Sequence, residues 1–354
     1  MTPAMRSQTI GLAVAAVVLA FVPLLIGETY TLDVLIRILL FVGLCSAWNI
    51  VGGMAGQLAF AHSLYIAAGA YSVGVFANLG LSPWLGLVLA VIISVALGML
   101  IAWLSARFAL PHLSFALITL AFSELGLLVV VSFKFLGGPS GMSVPYTGND
   151  NFFNYEITSD FVHYWIALAL AVLSLGVGLV LWYTRLGIQF RSVKDNERAA
   201  SALGVSPLRV KVTSMSISAA LTALLGGAYA MYMGFIDPHF FASPTLIIQI
   251  ILFSAVGGMG TVWGPALGAV LLVPMSDFLR TQFGGTLPPG AHVVFYGVFV
   301  ILVILLARGG LLDLVQRLVR RARKRSVSRG SEVKSADSVL ASDAEMTEKA
   351  GRNK

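Results

Sequence analysis

The chain is short of charge. Only 11% of its 354 residues are Asp, Glu, Lys or Arg, while 58% are hydrophobic. Soluble domains carry about 25% charged residues. So little charge cannot cover a water-facing body of this size, which excludes an ordinary soluble enzyme or binding module. Cysteine is scarcer: Cys45 stands alone in an apolar run, so no intramolecular disulfide forms and packing is its expected role. The five histidines are scattered, with no two at ligand spacing on one helix, which argues against a metal centre. No Gly-x-x-x-x-Gly-Lys-Ser/Thr loop occurs, nor any Gly-Lys pair, so the chain lacks a phosphate loop for ATP. The net charge of +7 follows the ends of apolar runs, a pattern that argues against nucleic acid.

What the chain has is long apolar runs. A stretch of about 20 residues crosses a hydrocarbon core about 30 Å thick. Roughly ten such spans are expected, at 10–26, 32–51, 63–80, 84–106, 112–133, 162–184, 212–233, 244–258, 264–282 and 291–307. The eighth is short and is expected to be broken or tilted. The fold class is therefore an all-α, polytopic integral membrane protein. Residues 1–307 form its membrane domain. The first run follows Arg6 as a signal peptide would, but Gly27-Glu28-Thr29 offers no small-x-small cleavage site, so an uncleaved first helix is expected.

Charge sets the orientation, because cytoplasmic loops carry the excess of Lys and Arg. With both ends inside, the cytoplasmic side receives Arg6, Arg107, Arg185, Arg191, Lys194, Arg198, Arg209, Lys211 and the basic tail. The outside receives Glu28, Asp33, Asp150, Glu156, Asp160 and Asp237, with Lys134 as the clearest exception. Residues 308–329 read as a basic amphipathic helix. Leu311, Leu312, Val315, Leu318 and Val319 share one face, and Arg317, Arg320, Arg321, Arg323, Lys324 and Arg325 crowd the rest. Such a helix is expected on anionic lipid of the inner leaflet, with a simple topology anchor as the plainer reading. Residues 330–354 are polar and Ser-rich, and disorder is expected there. Gly52-Gly53-Met54-Ala55-Gly56 is echoed by Gly257-Gly258-Met259-Gly260, more simply explained by close helix packing than by duplication.

The inner loop 185–211 holds a short helical segment. Asp195 and Glu197 suit a helix N-terminus, Ala199, Ala200, Ala202 and Leu203 favour helix, and Gly204 stops it in the left-handed conformation. A small-faced helix of this kind can dock in a partner's groove. An ordinary solvated connector is the equal alternative on spacing alone.

Residues 187–204 resemble the ATPase-contacting loop of bacterial ABC importer permeases. More narrowly, residues 32–307 resemble the LivM-type permeases of branched-chain amino acid importers. The marks are Trp48-Asn49 leading into Gly56-Gln57-Leu58 and His62, Gly69-Ala70-Tyr71, and Thr119-Leu120-Ala121-Phe122-Ser123-Glu124. They continue with Gly137-Gly138 before Gly141, Asn196-Glu197-Arg198-Ala199-Ala200, and Gly257-Gly258-Met259-Gly260-Thr261 with Gly264-Pro265. The chain departs from the family at Ala59 and Ala61, where Ser and Gly are usual. It departs again around Pro111-His112 and Ser114, where an Arg-Gly-like pair and an aromatic are usual. The resemblance implies an ABC importer permease fold in the bacterial cytoplasmic membrane, a second homologous permease subunit, ATPase subunits holding ATP and Mg, and an extracytoplasmic binding protein. It implies that Asp195, Asn196, Glu197, Arg198, Ala199, Ala200 and Gly204 engage the ATPases. It points to leucine, isoleucine and valine as cargo, with urea, short amides or other amino acids as alternatives in the same class.

Candidate path residues are Asn49, Gln57, His62, Thr119 and Glu124, with packing the plainer role for His62. Ionisable groups within spans mark function or pairing. Arg37 and Glu124 are expected to be neighbours at similar depth, as a structural pair. Two other classes are weighed. A secondary carrier needs intramembrane coupling groups, and Arg37, Glu124 and Asp277 are thin for that. An intramembrane serine protease would use Gly138-Pro139-Ser140-Gly141 with His163 or His292, but Ser140 lies in a Pro-containing loop.

Overall fold

In hydrocarbon no water satisfies the backbone, so each span must pair its own N–H and C=O groups, and an α-helix does so within one segment. The computed structural model describes residues 3–25, 29–108, 111–145, 160–283, 291–306 and 310–314. Its helices are α1 (Pro3–Leu25), α2 (Thr29–Asn49), α3 (His62–Asn78), α4 (Pro83–Arg107), α5 (His112–Ser132), α6 (Asp160–Tyr183), α7 (Arg185–Asp195), α8 (Glu197–Ala202), α9 (Pro207–Met233), α10 (Pro238–Phe241), α11 (Pro244–Gly257), α12 (Gly264–Phe283) and α13 (Ala291–Leu306). Each of the expected apolar runs coincides with a helix. Among the described residues, seven segments are long and apolar enough to cross a membrane.

Two runs need comment. The short eighth is the single helix α11, and the break expected there falls just before it: α10 and α11 are separate helices, each opened by a proline after an N-cap, Asp237 and Ser243. Proline suits the first helical turn, where its missing N–H costs nothing. The seventh, α9, begins at Pro207 rather than near residue 212, capped by Ser206. The inner loop is thereby shortened, and it holds two helices where one was expected.

The body packs around α2, whose Ile36, Leu40, Leu44 and Trp48 are fully buried. The Trp48 indole donates to the Ala59 carbonyl at 2.9 Å, and Gly52 leaves room for its ring. Small residues let α3, α4 and α9 approach closely, as membrane helix interfaces require. A Cβ at Gly226 of α9 would stand 2.5 Å from the Ile66 carbonyl of α3, and one at Gly86 of α4 would stand 2.7 Å from that of Ser72.

Connections expected on one side of the membrane meet at one end of the bundle. At one end, β1 (Met142–Ser143) pairs antiparallel with β2 (Phe235–Ile236), with Met142 opposite Ile236. At the other end, residues 50–61, α7, α8 and residues 258–263 gather. These are called below the hairpin end and the α8 end. The start of the expected basic helix also lies at the α8 end: Gly310 is buried against Gly258, and Leu311 packs on the core. The rest of that helix and the tail, 315–354, lie outside the described residues.

The expected Arg37–Glu124 pair does not form. Arg37 binds Asp33 one turn away at 2.7 Å and Asp277 of α12 at 3.2 Å. Glu124 lies on the exposed side of α5. The charge that satisfies Arg37 is nearer in sequence on one side, and on α12 rather than α5 on the other.

Candidate functional site

The α8 end presents the segment singled out above. Asn196 takes an extended conformation (φ −158°, ψ 105°), and its side-chain oxygen accepts the Ala199 N–H at 3.0 Å. This is an N-cap, satisfying a donor that the first turn leaves free. Asp195 is the last residue of α7, so it does not occupy the α8 N-terminus as expected from its charge. Glu197 opens α8, and its carboxylate binds the Lys211 ammonium at 2.9 and 3.1 Å. That bridge pins α8 to α9. Ala200 is buried beneath it. Gly204 ends the helix at φ +85°, where its N–H donates to the Ser201 carbonyl and that of Val205 to Ala200, both at 3.0 Å. A left-handed residue at this place closes a helix with its last carbonyls satisfied.

The outward side of this helix is therefore Arg198, Ala199, Ser201, Ala202 and Leu203, all exposed. Leu203 is 84% exposed, the most exposed large apolar side chain among those described. Sequence reading named the alanines and the stop, but neither Asn196 as the cap nor Leu203 as the apolar tip. The signal was there: a leucine beside the stop glycine of a helix whose other face is anchored.

Behind α8, three side chains hold α7. Phe190 is fully buried. The Arg191 guanidinium lies 4.2 Å over the Trp182 ring and donates to the Trp182 carbonyl at 3.0 Å. The Lys194 ammonium donates to the Gly53 carbonyl at 2.8 Å. Gly53 belongs to a π-helical segment, Ile50–Met54, that extends α2. Asn49, at its start, donates to the Thr261 carbonyl and accepts from the Gly260 N–H, both at 2.8 Å. A Cβ on Gly53 would stand 2.5 Å from the Gly260 nitrogen. The two echoed glycine segments thus touch, and Lys194 ties them to the α7–α8 hairpin.

The other path candidates divide. His62 is buried with Nε2 2.7 Å from the Ser218 hydroxyl, which donates to the Ala47 carbonyl at 2.6 Å. Thr119 of α5 accepts from the Phe60 N–H at 3.0 Å and donates to the Ala116 carbonyl. Gln57 is buried, and neither its amide nitrogen nor its oxygen has a hydrogen-bond partner among the described residues. Gln57 therefore lies within the 55–61 loop, with His62 at its end and Thr119 bonded to its Phe60, while Asn49 is turned to residues 260 and 261; the loop also carries the departures Ala59 and Ala61, both fully buried. Glu124 is not among them. It stands on α5, which borders an apolar groove of about 570 Å³ shared with α3 and α4. Ser140 is exposed in the turn Gly138–Ser140 at the hairpin end, and the His163 ring lies 5.7 Å from that of Tyr232. Among the described residues no group of three or more His, Cys, Asp or Glu is placed to hold a metal.

Residues 30–306 match the family described as the permease component of the branched-chain amino acid transport system. The chain belongs to that family. This permease is 30% identical over 275 residues to the high-affinity branched-chain amino acid transport system permease protein LivM of Salmonella typhimurium, and equally to that of Escherichia coli K12. Each match covers 71% of this chain and 64% of the relative, so the permease spans under two thirds of their length. It is 23% identical over 308 residues to the LivH permease protein of E. coli K12, covering 80% of this chain and 91% of that one. The permease is thus a multi-pass inner-membrane protein of a transport family, and not a member of a catalytic one.

Proposed function

We propose that this permease is one membrane subunit of an ATP-binding-cassette importer for leucine, isoleucine and valine. The observation that carries the reading is α8: a capped, stopped and anchored helix that projects Arg198, Ala199 and Leu203 from the end of the bundle. ATPase subunits, which hold ATP and Mg, engage this face. A second, homologous permease subunit completes the path, and an extracytoplasmic binding protein delivers cargo at the hairpin end. The chain crosses the membrane ten times with both termini inside, as the charge distribution favours. The α8 end then lies in the cytoplasm.

In this scheme movement of α8 reaches the path through bonded contacts. α8 and α7 are joined at Asn196, Lys194 of α7 holds Gly53, and Asn49 holds residues 260 and 261. A pull on α8 displaces the π segment and the glycine loop together, opening or closing the region framed by Gln57, His62 and Thr119. Cargo identity rests on the family and on the relatives' names; urea, short amides or other amino acids are the alternatives. The test is uptake of radiolabelled leucine, isoleucine and valine, against urea and acetamide, in cells lacking other such systems and complemented with the complete transporter. Saturable uptake of the branched amino acids alone supports the reading. Uptake of urea or amide instead replaces the cargo.

A further inference from the structure

A second polar cluster lies away from α8. Arg37 joins α2 to α12 through Asp277 and is held within α2 by Asp33, using its two Nη nitrogens. Its Nε–H is buried and has no acceptor among the described residues. Beside it is a hollow of about 190 Å³ between α2, α9, α10, α11 and α12, lined in part by Arg37, Asp277, Phe41, Tyr229, Phe253 and Val273. The Phe41 ring packs against those of Phe253 and Tyr229, at 5.3 and 6.3 Å between centroids. At about 30 Å³ per water, the hollow has room for several waters or one small solute. A lock between two helices does not need the hollow. An intramembrane ionisable group is a functional-site hypothesis by default.

We infer that this hollow is a receiving subsite for a free zwitterionic amino acid with an apolar side chain. The inference rests on the proposed function and gives it a location. Arg37, which lines the hollow, supplies a guanidinium donor for the α-carboxylate, and Asp277 an acceptor for the α-ammonium, which the aromatic faces also favour. Phe41, Phe253 and Val273 offer the apolar wall. The Arg37–Asp277 contact, at 3.2 Å, is the longer of the two ion pairs and is the one that loosens to admit the solute, while Asp33 at 2.7 Å keeps the guanidinium in place. A zwitterion adds no net charge to the cluster, whereas a cation or anion of the same shape would. Arg37 lies in the half of α2 nearer the hairpin end, the side at which the binding protein delivers.

Saturation-transfer NMR on the full transporter in lipid nanodiscs, without its binding protein, tests the inference. The probes are leucine, leucinamide, which lacks the carboxylate, and isocaproate, which lacks the ammonium. Leucine methyl signals should be saturated, and those of the other two should not. Arg37→Gln and Asp277→Asn should weaken leucine by about tenfold or more. Val273→Phe leaves every ion-pairing group in place and fills the hollow, so it should also abolish the leucine signal. Absence of a leucine signal in the unaltered transporter, equal signals from all three probes, or an unchanged signal in Val273→Phe overturns the inference. Normal leucine uptake beside absent binding would sink the subsite and leave the transport reading standing. Binding without uptake would do the reverse.

Discussion

Replacing Leu203 by serine isolates the docking role of α8 from its folding. The side chain is 84% exposed, and the helix beneath it is fixed by Asn196, by the Glu197–Lys211 bridge and by Gly204. Removing an exposed side chain away from such anchors changes stability by about 0.5 kcal/mol or less. If the ATPase buries Leu203, the loss on binding is the transfer free energy of a leucine side chain, about 1.5–3 kcal/mol. Since about 1.4 kcal/mol is tenfold in affinity, Leu203→Ser should weaken ATPase binding by roughly 10- to 100-fold. The assay is titration of purified ATPase onto the permease in nanodiscs, with expression level and melting temperature measured alongside. An unchanged dissociation constant with a stable variant would refute the claim that α8 docks through this tip. An unstable variant would show instead that Leu203 is covered by the permease itself, contrary to its exposure.

Glu197→Lys sets two ammonium groups against each other and should release α8 from α9, weakening ATPase co-purification; the Glu197→Lys, Lys211→Glu double variant should regain at least part of it, and no recovery would show that Glu197 acts on the partner rather than on Lys211. Lys194→Met removes a charge-assisted hydrogen bond worth about 1.5–3 kcal/mol. It should leave ATPase binding intact and depress uptake, as read by single-turnover transport; a parallel loss of both would place Lys194 in docking. Cys45 is fully buried, so single reporters are readable. In intact cells an impermeant maleimide should label Ser140→Cys and spare Ser201→Cys, and the opposite pattern would invert the topology.

Much of the architecture was legible in the apolar runs, because each span must satisfy its backbone alone and the requirement leaves a length signature. The break between α10 and α11 was legible only as a short run. Asp237-Pro238 and Ser243-Pro244 are cap-and-proline pairs that each start a helix, and two such pairs so close force the break. The α8 segment was readable because its acidic first residue, its alanines and its stop glycine are local features. The Glu197–Lys211 bridge also lies within the loop's reach, but a favourable helix N-terminus explained Glu197 equally well from sequence. Tertiary pairings were not legible. Arg37 and Glu124 were matched by depth, yet depth along a helix says nothing about its rotation, and Glu124 turns away while Asp277 turns in. The contact between the glycine segments was hidden for the same reason. Their similarity was visible, but only the fold brings Gly53 and Gly260 together through Asn49.

The central claim is that an external ATPase drives this chain. It is tested most directly by leucine uptake into proteoliposomes holding the complete transporter, with loaded binding protein on the receiving side and ATP on the other. Uptake should require hydrolysable ATP, stop with vanadate and continue when a protonophore collapses the proton gradient. Uptake that ignores vanadate and fails with the protonophore would contradict the account and make the chain a secondary carrier.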